Sequence, residues 1–119
     1  MHLASKICES IAGVDDNILI TALLEDSSAL SWYSRPKTPV PNKERQETMA
    51  IQAQLVTSIV RNNEDYLGMV GFTMIRQEMA DVFLFPVHGR TRRVFCVVVA
   101  RPYDLDSLVA KITRFLARD

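Results

Sequence analysis

The sequence predicts a single α/β domain whose helices and strands follow the order α-β-β-α-β-β-β-α. Three observations support this fold class. Apolar residues recur at helical spacing in three segments, a strand-like hairpin follows the first of them, and three further strand-like runs lie between residues 67 and 100. The 119 residues match the length of one domain, which we assign to residues 1–119 and which can bury roughly two-thirds of its unfolded surface.

The chain is predicted to begin with a short helix. Leu3, Ile7 and Ile11 recur at helical spacing, and Gly13 follows where a helix would end on a left-handed residue. A hairpin comes next, because an apolar run rich in β-branched residues is followed by turn residues and a second strand-like run. Its strand, turn and strand are Ile18–Leu24, Glu25–Ser28 and Ala29–Ser34.

A long middle helix is predicted after a stiff loop. The loop, Arg35–Pro41, contains three prolines, which lack a backbone N–H and restrict the residue before them. Asn42 can cap the helix because its side-chain oxygen can accept from a free N–H of the first turn. The apolar positions form two adjoining stripes: Met49, Ala53, Val56 and Val60, and beside them Ile51, Leu55 and Ile59. A face this wide indicates that the helix covers a sheet and also contacts a further surface.

The segment Leu67–Ile75 carries no charge and is the most informative part of the chain. If the runs Met69–Ile75, Ala80–Val87 and Arg93–Ala100 form a meander, the first run lies at an edge of the sheet. An exposed edge so apolar would invite another chain to pair with it. We therefore expect this edge to be covered, most simply by a second copy of the chain.

The last strand and the last helix are both strongly apolar. The run Val94–Val99 does not alternate in polarity, which predicts a central strand covered on both faces. Asp104 can cap the helix that follows, and Arg114 and Arg118 lie near its end, where cations suit the helix dipole. The apolar stripe of this helix consists of Leu105, Leu108, Val109, Ile112 and Leu116.

Composition excludes several classes of partner and compartment. The 14 basic and 14 acidic side chains leave no net charge, so overall charge gives no reason to expect nucleic acid or an anionic membrane. Cys8 and Cys96 have no metal-like spacing, and we expect reduced, buried thiols. No run of ~18 apolar residues and no signal-like segment is present. We expect a cytoplasmic protein without membrane insertion.

The motifs of catalysis and cofactor binding are absent from the sequence. None of the four glycines stands in a phosphate-binding pattern, and His2 and His88 are too few and too far apart for a histidine-based metal site. A nucleophile pair of Cys96 and His88 is formally possible across the last hairpin. However, a cysteine inside a valine run is usually a core residue, and apolar surroundings raise its pKa. We expect no enzyme activity, no metal and no cofactor.

Two further groups of side chains have simpler structural interpretations. The dense basic cluster consists of Arg90, Arg92 and Arg93, with His88 close by. It could hold a phosphate or an acidic surface, but a solvated hairpin tip is the simpler interpretation. Trp32 and Tyr33 could form an aromatic platform, but adjacent strand residues point to opposite faces, so one of them should face the core.

The order of elements resembles the roadblock/dynein light chain family and its longin-like relatives over Leu3–Leu116. The shared features are the acidic turn Glu25–Ser28, the apolar Ala50–Val60 helix, the Phe85–Val87 end of the fourth strand and the valine run before the last helix. The sequence departs from the family pattern at Ser28-Ala29 and at Asp106, where members often carry glycine.

The resemblance implies an α+β sandwich: a five-stranded antiparallel sheet with the first and last helices on one face and the long middle helix on the other. It also implies homodimers, or heterodimers with a paralogous chain, joined through the third strand and the middle helix. Such dimers are non-enzymatic regulators or scaffolds that bind Ras-like small GTPases, or adaptors on motor and signalling complexes.

These implications assign two groups of contact residues. We expect self-association through Val70, Phe72 and Met74 of the third strand, with Val56 and Ile59 of the middle helix. We expect recognition of the GTPase or other partner on the composite surface of two middle helices, at Gln46, Gln52, Gln54 and Arg61.

Two other functions remain as alternatives. A small-molecule sensor domain would enclose a ligand between sheet and helix, in a cavity lined by Phe83, Phe85 and Phe95. No cluster of polar residues marks such a pocket. An enzyme would need a nucleophile with a base beside it, and the sequence offers no obvious pair.

Overall fold

The computed structural model describes residues 2–89 and 92–117, and its elements follow the predicted order with one short helix added. They are α1 (His2–Ala12), β1 (Ile18–Glu25), β2 (Ser28–Ser34), α2 (Lys43–Arg61), α3 (Glu64–Leu67), β3 (Thr73–Arg76), β4 (Asp81–Pro86), β5 (Arg93–Val99) and α4 (Leu105–Ala117). The five strands form one antiparallel sheet in the order β2-β1-β5-β4-β3. The predicted α+β sandwich is confirmed.

The helices lie in two layers, one on each face of the sheet. On one face, Ile11 of α1 and Ile112 of α4 are fully buried in a core that includes Phe83. On the other face, Ala50 of α2 packs in a second core with Leu84. The predicted separation of the outer helices from the middle helix is confirmed. None of the described helices is long and apolar enough to cross a membrane.

The valine run of β5 lies at the centre of the sheet, between β1 and β4. Its side chains alternate between the two layers. Val97 and Val99 enter the core beneath α1 and α4, whereas Val94 and Cys96 enter the core beneath α2. Because both faces are covered, this strand needs no polar alternation. The predicted central position is confirmed.

Both predicted helix caps are present. The Asn42 side chain accepts a hydrogen bond from the Arg45 N–H at 2.8 Å. The Asp104 carboxylate accepts one from the Ser107 N–H at 3.0 Å. Each cap satisfies an N–H of the first turn that has no partner within the helix, so the sequence predicted these two helix starts correctly.

The prediction that Gly13 ends α1 in a left-handed conformation is wrong. The glycines with positive φ in the described part of the chain lie elsewhere. The Gly13 N–H donates to the carbonyls of Glu9 and Ser10 at 3.2 and 3.1 Å, and the Val14 N–H donates to Ile11 at 3.0 Å. These bonds satisfy the last carbonyls of the helix by tightening its final turn, so a left-handed residue is not needed.

The third strand is shorter than predicted. The sequence predicts a strand over Met69–Ile75, whereas β3 spans Thr73–Arg76. Extending its register along β4 would set Gly71 opposite Pro86. Proline has no N–H to donate, and glycine loses the most conformational freedom when a strand orders it. Residues 68–72 therefore lead towards the strand without joining its ladder.

Candidate functional site

Strand β3 forms one edge of the sheet, and the hydrogen bonds of its hairpin show which backbone groups face outward. The Gln77 N–H donates to the Ala80 carbonyl at 3.0 Å, so these two residues form a hydrogen-bonded pair. Such pairs alternate along an antiparallel ladder. Ile75 therefore bonds to β4, whereas Met74 and Arg76 direct their N–H and C=O groups away from the sheet. Within the described part of the chain, this edge therefore presents backbone donors and acceptors that could pair with another strand.

The side chains of Phe72 and Met74 lie on the sheet face that α1 and α4 cover. The Phe72 ring lies 5.7 and 5.9 Å from the rings of Phe83 and Phe85. Met74 lies opposite Phe83 in the ladder, and its Sδ is 3.7 Å from the Tyr103 hydroxyl. Phe72 and Met74 remain 37% and 39% exposed. Two of the predicted dimer residues therefore lie at the exposed edge and contact aromatic residues of the core beneath α1 and α4.

Helix α2 exposes an apolar stripe on the other face of the molecule. Ile51, Leu55 and Ile59 recur every four residues and are 47%, 60% and 66% exposed. The helix carries no charge between residues 48 and 60. Val56 is half-buried and lines a groove of about 160 Å³ between α2 and the sheet. The groove also opens beside Met49, Gln52, Ile75, Gln77 and Val82. The predicted helix contacts, Val56 and Ile59, thus lie beside the edge strand and on the exposed stripe respectively.

The segment between α2 and β3 is fixed by Glu64. Its carboxylate accepts a hydrogen bond from the Val70 N–H at 2.9 Å, and the Arg61 guanidinium lies 3.4 Å away. The Val70 N–H is the largest cause that lowers the pKa of Glu64, and Arg61 adds to it. Val70, predicted to lie on the dimer strand, therefore precedes β3 with its N–H already bonded within the chain. Arg61, predicted to contact a partner, is engaged in the same cluster.

Three glutamines were also predicted to contact a partner, and two of them bond within the chain. Gln46 donates to the Pro41 carbonyl at 2.9 Å, and Gln54 donates to the Arg92 carbonyl at 2.7 Å. Gln52 is exposed on α2 and has no such bond among the described residues. Gln52 is therefore the glutamine best placed to meet another molecule.

The sequence analysis missed a buried ion cluster beside the edge strand. Asp81 opens β4 and is inaccessible to solvent. Its carboxylate accepts hydrogen bonds from Arg76 at 2.9 and 3.1 Å, from Arg101 at 2.5 Å and from the Tyr103 hydroxyl at 2.5 Å. The bonds from Arg76 and then Tyr103 lower the pKa of Asp81 to about 2, against the opposing effect of burial. The pKa of Tyr103 is raised, mainly by burial and secondly by its hydrogen bond to Asp81.

This cluster holds the β3–β4 hairpin against the segment before α4. Besides Asp81, the Arg101 guanidinium donates to the carbonyls of Gln77 and Glu78 in the hairpin turn, at 3.1 and 2.7 Å. Arg76 belongs to the edge strand itself. The buried Asp81 carboxylate binds both Arg76 and Arg101. The position of β3 therefore depends on Arg101, which follows Asp81 by 20 positions in the chain. The one sequence signal was an aspartate that begins an otherwise apolar strand.

The formally possible Cys96–His88 pair does not form. Cys96 is buried beneath α2, and burial raises the pKa of its thiol to about 12. His88 is exposed in the turn after β4. Cys8 is also buried, which confirms the predicted burial of both thiols. Among the described residues no group of three or more His, Cys, Asp or Glu side chains is arranged to hold a metal.

The described arginines of the basic cluster are paired with acidic residues of the first hairpin. Arg92 forms an ion pair with Asp26, and Arg93 forms one with Glu25 at 2.9 Å. Arg90 lies outside the described residues. These pairs join the end of β1 to the beginning of β5. The described arginines therefore have a structural role, but Arg93 is half-buried in β5 and is not part of a solvated hairpin tip.

The aromatic residues fill the two cores. Phe83, Phe85 and Phe95, the rings expected to line a sensor cavity, are at most 2% exposed and pack in the core beneath α1 and α4. Trp32 packs beneath α2 and Tyr33 on the opposite face. The prediction that one of this pair faces the core is confirmed, and both are half-buried.

No protein-family model and no curated protein sequence matches the chain. Solved structures do match it. A Roadblock/LC7 domain from Streptomyces avermitilis has a TM-score of 0.77 at 14% identity and covers 96% of this chain and 92% of its own. The gliding protein MglB from Thermus thermophilus has a TM-score of 0.76 at 12% identity, with 98% and 87% covered.

MglB from Myxococcus xanthus is similar at a TM-score of 0.73 and 11% identity, with 98% of this chain and 93% of that chain covered. Identities this low show a similarity of the fold alone. That similarity extends along nearly the whole chain. The protein has the roadblock/longin-like fold.

Proposed function

We propose that this protein is a non-enzymatic dimeric regulator or scaffold that binds a Ras-like small GTPase or a signalling complex. The observation that carries this proposal is a free edge strand flanked by α2, a helix whose exposed side carries an apolar stripe, in a roadblock fold. An edge with outward donors and acceptors is satisfied by a second strand. The second chain is another copy of this protein or a paralogous chain of the same fold.

The similar structures support assembly and regulation as the general role. One solved MglB structure has a tetrameric arrangement, and another MglB is described as a gliding protein. In a dimer formed through β3, the α2 helices of two copies lie near each other because α2 flanks the edge strand along its groove. Their exposed stripes then form one composite surface, which we assign to the GTPase or other partner.

Solution mass tests the dimer. Light scattering after size exclusion, at several concentrations, should give about twice 13.5 kDa and hold on dilution. A mass of one chain at every concentration would contradict a homodimer. Mixing with a paralogous chain then tests the heterodimer.

Partner binding needs a separate test on the composite surface. Purified Ras-like GTPases, loaded with GDP or with a non-hydrolysable GTP analogue, are titrated against the immobilised dimer. We expect one GTPase to bind in one nucleotide state and Gln52→Arg to weaken that binding at least tenfold. Thr113→Arg is the matched control, because Thr113 is also neutral and is exposed on α4, on the opposite face. Equal weakening by both variants would contradict the assignment of the surface.

A further inference from the structure

The outward-facing residues of β3 restrict how a second copy can pair with it. A two-fold axis makes the two β3 strands antiparallel. In an antiparallel ladder, residues that exchange hydrogen bonds must both point towards the partner strand. Met74 and Arg76 point outward, and because the Thr73 N–H points towards β4, the carbonyl of Phe72, the residue before β3, also points outward. A register that sets one of these residues opposite Thr73 or Ile75 is excluded, because Thr73 and Ile75 bond to β4.

The length available for pairing is limited on both sides. Before Phe72, the Val70 N–H is bonded to the Glu64 carboxylate at 2.9 Å. After Arg76, the chain enters the hairpin turn, where the Gln77 carbonyl accepts from Arg101 at 3.1 Å. The second copy can therefore pair with residues 72–76.

One register uses all of this edge. With the axis at Met74, Met74 pairs with Met74 of the second copy, and Phe72 pairs with Arg76 of the second copy. An axis at Thr73 leaves Arg76 unpaired, and an axis at Ile75 leaves Phe72 unpaired. An axis at Arg76 would set two arginines directly opposite each other, which is unfavourable.

The side chains agree with this register on both faces. On the face of α1 and α4, two half-exposed Met74 side chains meet. Phe72 meets Arg76, whose charge is already compensated by Asp81 at 2.9 Å. On the face of α2, Thr73 meets Ile75. No like charges are opposed.

We propose that two copies of this chain pair through residues 72–76 with the two-fold axis at Met74. This inference rests on the proposed dimer and adds its register. Glu64 and Arg101 then limit the register, since their hydrogen bonds end the usable edge on either side.

Disulfide trapping tests the register. Cysteine is introduced singly as Phe72→Cys, Thr73→Cys or Met74→Cys, and each protein is oxidised with glutathione disulfide. A directly opposed hydrogen-bonded pair has Cα atoms about 5.5 Å apart, within disulfide range, whereas diagonal residues are about 7–8 Å apart. We expect Met74→Cys to give at least tenfold more covalent dimer than either other variant. Wild type, with Cys8 and Cys96 buried, sets the background.

The outcomes separate the register from the proposed function. Preferential trapping of Thr73→Cys or Phe72→Cys moves the axis and overturns the register while keeping the dimer. A wild-type protein that stays monomeric at all concentrations overturns both. Met74→Ser controls for loss of the methionine side chain, and it must keep the wild-type circular dichroism spectrum and mass under reducing conditions. A dimeric, folded protein in which no introduced cysteine is trapped places the interface away from β3 and overturns the register.

Discussion

Proline substitution can measure the outward direction of the Met74 N–H. Because this N–H makes no bond to β4, Met74→Pro removes no hydrogen bond from the monomer. Its cost should equal that of Met74→Ala, about 1–2 kcal/mol for a methionine that is 39% exposed. Ile75→Pro removes an N–H that bonds to β4 and leaves a carbonyl without its donor. It should cost about 2–3 kcal/mol more than Ile75→Ala.

The assay is urea unfolding of all four substitutions in a Phe72→Glu background, in which the chain should be monomeric, with unchanged m-values required for the comparison. Equal penalties for proline at positions 74 and 75, relative to alanine, would refute the assigned alternation. The dimer gives a second readout. Met74→Pro deletes one hydrogen bond from each copy at the axis, about 2 kcal/mol in total, which should weaken dimerisation about 30-fold relative to Met74→Ala.

Three further perturbations follow from single contacts. Phe72→Glu should split the dimer by light scattering, and it should lower the free energy of unfolding of the monomer by about 2 kcal/mol because the ring packs on two buried phenylalanines; an intact dimer would mean that the edge is wrong. Thr57→Val should raise the free energy of unfolding by about 1 kcal/mol, since the buried Thr57 hydroxyl has no hydrogen-bond partner among the described residues. The exposed control Thr48→Val should stay within about 0.5 kcal/mol, and equal effects would contradict this reasoning. The pKa of Asp81 is lowered from 3.8 to about 2, so the stability that its carboxylate contributes is complete above about pH 4 and is lost as the pH falls towards 2. The melting temperature should therefore fall more between pH 5 and 2 for wild type than for Asp81→Asn. Parallel curves for the two proteins would contradict the lowered pKa.

The elements that the sequence predicted correctly are those whose burial follows a local period. Ile11 and Ile112 recur at helical spacing because one stripe of each helix faces the sheet. The unbroken valine run of β5 indicated coverage on both faces, and the structure has it at the centre of the sheet. Asn42 and Asp104 were recognisable because capping is a contact between residues close in sequence.

The errors arose where the deciding partner lies far along the chain. The length of β3 depends on Pro86 opposite Gly71, and neither residue reveals that pairing by itself. The Asp81 cluster joins β3, β4 and the segment before α4, so its members extend from Arg76 to Tyr103. The candidate contacts were predicted on the edge strand and on the middle helix beside it. The bonds that already engage Gln46, Gln54 and Arg61 could be found only from the folded chain.

The sheet separates two buried thiols, one in each layer: Cys8 on α1 and Cys96 beneath α2. They cannot join in the folded chain without opening the sheet between them. The labelling rate of each thiol therefore measures how often its own layer opens, since a thiol reagent reaches the buried sulfur only when that layer opens. Where labelling proceeds through local opening, a partner bound on α2 would slow the labelling of Cys96 and leave that of Cys8 unchanged. The chain can thus report where a ligand binds without any introduced cysteine.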